Sequence, residues 1–397
     1  MTNTIRLYLK AIVSALLLCM RVGAGDLIFM QGRGPRRLRI CSSPSACSMV
    51  ITEVPTLNAR WGLDQPFFVS WQTARLIANT WGTPVSNRKT IDLPWCSEGL
   101  VCGSSLLAQP CTPEQVNTIR SLLATEPVNG PSVSVEARTL LPLLRRCASH
   151  PLGRPKSQTI YFSPGQVGRA PALRLTSIKS DWAEQVWIDL DHGSTVAASV
   201  RLREDVLSSI IKFVEERSSG HIRITIGSEA ILVEAEDGRL VARVEPVANT
   251  HVADPFGLPL QRLAAIPDCY LNHRVFGCWL QGYEDGPDQF SDGARLRFTG
   301  QHGATPTISW VGKPTPALTL EQGSWYLEGS FDVAMRDLEK SLIGFQGPLE
   351  LRVTADGARR PWIEITGDSG TVRRITMLKA HDPDDRQPDS ATGTRAG

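Results

Sequence analysis

One order of elements occurs twice in the C-terminal part of this chain, and it constrains the fold more than any motif does. A strand signal over Thr195 to Leu202 leads into Val206, Leu207, Ile210, Ile211 and Val214, apolar at helical spacing, until Gly220 ends the pattern. Ile222, Ile224 and Ile226 then alternate around Arg223 and Thr225, followed by Ile231 to Glu234, the turn Asp237-Gly238 and Leu240 to Val244. The same order returns further on. Trp325 to Leu327 reads as a strand, Asp332 as an N-cap, Met335, Leu338 and Leu342 as one helix face, and Gly347-Pro348 as a breaker. Leu349, Leu351 and Val353 alternate next, and Asp356-Gly357 turns into Trp362, Ile363 and Ile365. Common order with little identity is what an old duplication leaves. A unit with several alternating strands and a single amphipathic helix must bury one sheet face under that helix. The expected fold is therefore α+β: tandem small, mostly antiparallel sheets, each packed by one helix.

Pro/Gly-rich joints at 150–156 and 253–259 resist both helix and strand and mark the boundaries. They predict a cysteine-rich module over 25–150, an α+β module over 157–247 and a related one over 260–379, with a disordered, Asp/Pro-rich tail over 380–397. In the first module, Leu38 to Cys41 and Met49 to Val54 read as a hairpin. Thr112-Pro113-Glu114-Gln115 reads as a capping box opening a helix whose apolar face is Val116, Ile119, Leu122 and Leu123. Arg37 and Arg39, alternating around Leu38 and Ile40, read as the wet face of a strand.

The N-terminus shapes the expected compartment. Arg6 and Lys10 precede the apolar run Ala11 to Met20, and Val22-Gly23-Ala24 puts small residues where a signal peptidase needs them, so residues 1–24 read as a signal peptide. The run is too short to span a bilayer, which takes about 20 residues, and no later stretch does so either. Cys41, Cys47, Cys96, Cys102, Cys111, Cys147, Cys269 and Cys278 would then remain, an even set suited to disulfides in an oxidising compartment. Sequential pairing closes short loops and would staple the first and third modules. The spacings do not suit structural zinc, and no metal or cofactor is expected. Subtracting Arg6, Lys10 and Arg21 from 42 Lys plus Arg, against 40 Asp plus Glu, leaves a mature charge near neutrality, which argues against nucleic acid as a partner.

Arg37-Leu38-Arg39-Ile40-Cys41 with Cys47-Ser48-Met49-Val50, the later pair Cys96 and Cys102, and Cys269 to Cys278-Trp279-Leu280-Gln281 resemble the cysteine framework of the invasion-associated locus B family of exported bacterial proteins. Arg37 stands where that family usually has a tryptophan, and the 157–247 module has no cysteines. The resemblance implies a periplasmic or surface role without a known catalytic site.

No G-x-S-x-G, H-E-x-x-H, Walker or dinucleotide-binding pattern is present in the required setting. Asp189 to His192 reads as a strand end and turn, and the acidic loop 284–293 lacks EF-hand spacing. Trp61, Trp71, Trp81 and Trp95 cluster in the first module and are candidate binding aromatics. The expectation is a non-enzymatic, periplasmic or secreted envelope protein that binds a protein or an envelope polymer. A secreted hydrolase with an active site scattered along the sequence is the alternative.

Overall fold

The computed structural model describes residues 3–23, 25–32, 36–58, 66–82, 89–96, 99–102, 105–106, 108–124, 132–148, 159–167, 170–178, 182–189, 199–217, 220–247, 269–272, 294–300, 305–312, 316–320, 329–342, 346–355, 361–369 and 372–379. Some side chains within these segments, those of Trp81, Trp95, Cys96, Cys102, Cys147 and Cys269 among them, fall outside the description.

The chain opens with β1 (Asn3–Tyr8), α1 (Leu9–Val22), β2 (Leu27–Gln31), β3 (Arg37–Ser45) and β4 (Ser48–Pro55). The same order follows in β5 (Phe67–Val69), α2 (Trp71–Gly82), β6 (Thr90–Cys96), β7 (Gly99–Cys102) and β8 (Ser105–Leu106). After β9 (Gln109–Pro110) and α3 (Pro113–Ala124) it returns as β10 (Ser132–Glu136), α4 (Ala137–Ala148), β11 (Thr159–Val167), β12 (Ala170–Ile178) and β13 (Trp182–Asp189). It appears again in β14 (Val200–Leu202), α5 (Glu204–Glu215), β15 (His221–Ile226), β16 (Ala230–Ala235) and β17 (Gly238–Arg243). Beyond β18 (Glu245–Pro246) lie β19 (Cys269–Asn272), β20 (Arg295–Gly300), β21 (Thr307–Trp310) and β22 (Leu318–Thr319). The last unit is β23 (Gly329–Ala334), α6 (Met335–Leu342), β24 (Gln346–Ala355), β25 (Pro361–Ser369) and β26 (Val372–Lys379). The fold is α+β, with antiparallel sheets ordered β1-β6-β7-β8, β10-β15-β16-β17-β4-β3-β2-β5-β9, β18-β14-β11-β12-β13-β26-β25-β24-β19 and β22-β21-β20-β23.

Neighbouring units exchange their first strands. β1 pairs with β6 while β5 pairs with β2; β10 pairs with β15 while β14 pairs with β11; β19 pairs with β24 while β23 pairs with β20. A first strand that returned to its own unit through a helix would make the crossover connection of a parallel pair, and exchange keeps every ladder antiparallel. Two more ladders join last strands: β4 with β17, and β13 with β26. The remaining last strands, β8 and β22, end their sheets.

α1, α2, α4 and α5 share one core, where Ile12, Leu16, Leu140, Leu144, Ile210 and Phe213 are fully buried against strand residues such as Ile40, Val50, Phe162 and Ile224. α3 lies on the opposite face of the longer N-terminal sheet, its Ile119 and Leu122 packed on Cys41, Met49, Ile51, Leu232 and Val241. The capping box forms as expected: the Thr112 amide donates to Gln115 Oε1 at 2.8 Å, and the Gln115 amide donates to Thr112 Oγ1 at 3.3 Å. α6 belongs to a separate core with Leu296, Phe298, Val333, Leu349 and Ile365.

Several expectations are corrected. The supposed signal peptide, 1–24, contains β1 and α1; Ile12, Leu16, Cys19 and Val22 are fully buried, so cleavage would remove a helix from the core. Gly23 is small for a packing reason. A Cβ there would lie 1.9 Å from Ser42 Oγ and 2.5 Å from the Cys19 carbonyl oxygen, and the Gly23 amide donates to that carbonyl at 2.9 Å. The signal-peptide, secreted and periplasmic readings fall with it. Disulfide stapling fails where it can be seen, since Cys41, Cys47 and Cys111 form no disulfide. Cys41 is buried under α3 whereas Cys47 packs toward the α1/α5 core, so the hairpin directs the two to different cores. The proposed Cys111–Cys147 bridge is likewise unmade, while the sulfurs of Cys96, Cys102, Cys147, Cys269 and Cys278 lie outside the described residues.

The wet strand face holds at Arg37, which is exposed, but not at Arg39. Arg39 is buried, 2.7 Å from Glu53. Asp332 is no helix cap: it sits in β23, and its carboxylate is bound at 2.7 and 3.0 Å by Arg297 of β20. Gly347-Pro348 does not break the chain but lies within β24 at a register shift. The joints at 150–156 and 253–259, the acidic loop 284–293, Trp325 to Leu327 and the 380–397 tail fall outside the described residues, as does all of Asp189 to His192 beyond Asp189 in β13.

Candidate functional site

Packing α1, α2, α4 and α5 on one core leaves a layer of outward helix faces. α1 exposes Lys10, Ser14 and Arg21; α2 exposes Gln72, Arg75, Leu76 and Asn79; α4 exposes Arg138, Pro142 and Arg145. None of these three helices contains an aspartate or glutamate. α5 differs, opening with Glu204 and Asp205 and ending with Glu215 beside Glu216, with Lys212 between.

Helix ends set part of this pattern. Ser70 caps α2, its hydroxyl accepting from the Thr73 amide at 3.2 Å, and Asp26 accepts the Trp71 amide at 2.7 Å. The Arg75 guanidinium lies 5.3 Å from the centre of the Trp71 ring, which holds that cation on the helix surface. Arg21 donates to Glu216 at 2.9 Å, and Arg145 pairs with Glu215, so the acidic end of α5 draws together the C-terminal ends of α1 and α4. Arg138 donates to Glu136, whose carboxyl it holds below the usual carboxylate range. Such exposed pairs are weak and screened by salt, and their arginines remain open to a polyanion. Lys10, Arg21, Arg75, Arg138, Arg145 and Lys212 thus outnumber Glu204, Asp205, Glu215 and Glu216 on this layer.

The second functional feature is at the ends of the sheets. β8 pairs with β7 through Val101–Leu106 and Cys102–Ser105, and β22 pairs with β21 through Thr307–Thr319 and Ile308–Leu318. Among the described residues both are terminal strands, carrying backbone groups that another chain can pair with.

Of the residues singled out in the sequence, Trp71 starts α2 half-buried, Trp81 lies near its end and Trp95 lies in β6, while Trp61 is outside the described residues. Cys41 and Cys19 are buried, and burial pushes the Cys19 thiol well above its ordinary pKa, with Cys41 adding to the shift. Half-burial pushes Cys111 up to about 11. These are packing thiols. Among the described residues no group of His, Cys, Asp and Glu is placed to hold a metal. The helix-layer cations were missed, although a signal was there: the absence of any acid from Leu9–Val22, Trp71–Gly82 and Ala137–Ala148.

No protein-family model matches the sequence, and no curated protein matches it. The fold is nevertheless similar, nearly end to end, to solved bacterial clamp structures. A DNA polymerase sliding clamp from Caulobacter crescentus matches with a TM-score of 0.59 at 12% identity, covering 95% of this chain and 99% of that one. A putative DNA polymerase III beta subunit from Eubacterium rectale matches at 0.58 and 11% identity, covering 95% and 99%. The DNA polymerase III beta subunit of Thermotoga maritima matches at 0.54 and 11%, covering 96% and 99%.

At this identity the likeness establishes the fold, and three expectations are overturned. The resemblance to the invasion-associated locus B family rested on cysteine spacing, and the structure matches a different architecture across nearly the whole chain. The envelope-protein reading and the secreted-hydrolase alternative both assumed export, which the buried α1 removes. The exclusion of nucleic acid, and the envelope polymer put in its place, rested on a charge count that discarded Lys10 and Arg21 with the leader; the full chain carries a formal charge of +2, and both residues lie on the helix layer.

Proposed function

We propose that this chain is a DNA clamp: two copies join head to tail, β8 of each against β22 of the other, and close a ring whose helix layer faces duplex DNA. The observation that carries the reading is the pairing of last strands. β4 joins β17 and β13 joins β26, while β8 and β22, the last strands of the second and fifth units, end their sheets among the described residues. Each copy offers one edge of each kind, so a twofold dimer makes the same junction twice and leaves neither edge open.

The helix layer supplies the DNA-facing side. Cations spread over α1, α2 and α4 neutralise phosphates without reading bases, which suits a protein that slides. The likeness to proteins named as DNA polymerase sliding clamps and beta subunits supports a tethering role for a polymerase or another DNA-acting enzyme. In this reading the β-α-β-β-β order is a repeatedly duplicated module, combined pairwise into three bodies, 3–106, 132–243 and 269–379, by the exchange of first strands.

Sedimentation equilibrium tests the closure. A dimer is expected, and Thr319→Pro, which removes a backbone donor from the β22 edge, is expected to give monomers with unchanged circular dichroism. A chain that stays monomeric at tens of micromolar, or a Thr319→Pro dimer as tight as the parent, would remove the ring.

A further inference from the structure

Among the described residues the helix α3 has no counterpart in the repeating β-α-β-β-β order; it lies in the stretch between β9 and β10, and it packs on the sheet face opposite α1 and α5. Its position there coincides with the ladder between β4 and β17. Ile119 and Leu122, each 2% exposed, touch residues from both sides of that ladder: Cys41, Met49 and Ile51 on β3 and β4, and Leu232 and Val241 on β16 and β17. The Arg243 guanidinium at the end of β17 reaches Ser121 of the helix. The helix is tied at its other end as well, because the Cys111 amide donates to the Pro66 carbonyl at 2.9 Å and the Thr112/Gln115 box fixes the first turn.

We infer that α3 is a strut across the β4–β17 seam, so that the first and second pairs of units move as one rigid arm and any opening of the molecule takes place at other joints. The ladder itself is short, running from Arg239–Ile51 to Ala242–Ser48, and a ladder of that length opens easily unless side chains close it from the faces. One face is closed by α1 against α5, with Ser48 Oγ donating to Ser209 Oγ at 3.2 Å and Arg21 to Glu216 at 2.9 Å. α3 closes the other. Apolar area spanning a seam makes separation expose two surfaces together, which couples the seam to the folding of the helix.

Hydrogen exchange followed by mass spectrometry on the full chain tests this. Thr112→Ala removes the cap and is expected to speed exchange in 113–124 by roughly fivefold. If α3 is a strut, amides of 48–51 and 239–242 speed up with it, while those of 182–188 and 372–378 in the β13–β26 ladder keep their parent rates. The double variant Ile119→Ala, Leu122→Ala is expected to give the same pattern more strongly, by tenfold or more. Should α3 exchange faster in Thr112→Ala while 48–51 and 239–242 stay as protected as in the parent, the helix covers the seam without holding it and the inference fails. It fails equally if both ladders loosen together.

Discussion

Two seams join strands of distant units, and they are built differently. The β4–β17 seam has a short backbone ladder and many side-chain ties: Thr52 Oγ1 donates to the Asp237 carbonyl at 2.8 Å, Arg239 lies 3.6 Å from Glu53, and the Arg243 amide donates to the Cys47 carbonyl at 2.8 Å. The β13–β26 seam runs longer, from Trp182–Leu378 to Ile188–Val372, with Val186 and Ile188 buried on β13, while the side chains of β26 lie outside the described residues. A short ladder held by helices and ion pairs depends on individual side chains. A long one shares its cohesion among many backbone bonds, so the first should be far more sensitive to single substitutions.

The largest expected effect is at the first seam. Phe213 of α5 is fully buried, and Phe213→Ala should cost about 3 to 5 kcal/mol by denaturant unfolding, from lost transfer energy and the cavity left behind. Gly23→Ala should cost about 3 kcal/mol, because the added methyl meets Ser42 and the Cys19 carbonyl where α1 turns toward the sheet. A stable, fully folded Gly23→Ala would say that α1 does not dock as described. At the second seam, Val186→Ala should cost about 2 kcal/mol, and exchange should quicken along β13 and β26 only.

Gly238→Ala is a finer probe of the first seam, since its Cβ would lie 2.6 Å from Leu18 Cδ2 across the junction. About 1 to 2 kcal/mol is expected as Leu18 shifts in a tight core, and a neutral result would mean that the seam has slack. The smallest effect lies away from both seams. Arg6 of β1 holds the Asp92 carboxyl of β6 below its usual range through bonds of 2.7 and 2.9 Å. A depressed carboxyl stabilises the fold above its unfolded pKa of about 3.9 and loses that contribution as pH falls through the folded value. Below about pH 4 the parent should therefore lose slightly more thermal stability than Asp92→Asn, by about 1 °C or less.

Much of the local structure was legible in the sequence. The alternation at Ile222, Ile224 and Ile226, the helix around Ile210 and the Thr112/Gln115 box all form, because each rests on neighbours within a few residues. Pairing was not legible. The first-strand exchange brings β10 to β15 and β14 to β11, partners that periodicity cannot name. The N-terminus misled for a physical reason: an apolar helix preceded by cations and ended by a small residue satisfies both a signal peptidase and a buried helix turning tightly beside Ser42. The helix-layer charge was hidden by the same error, since whole-chain counting averages the acid-free α1, α2 and α4 with an acidic α5.

The central claim is topological: the closed dimer surrounds its DNA. It is tested most directly by binding the protein to a relaxed covalently closed plasmid, isolating the complex by gel filtration in about 0.15 M salt, and then linearising half with a restriction enzyme. Protein is expected to stay with the circle and to run off the linear form. Equal retention on both, or equal loss from both, would contradict it, leaving a helix layer that touches DNA from one side only.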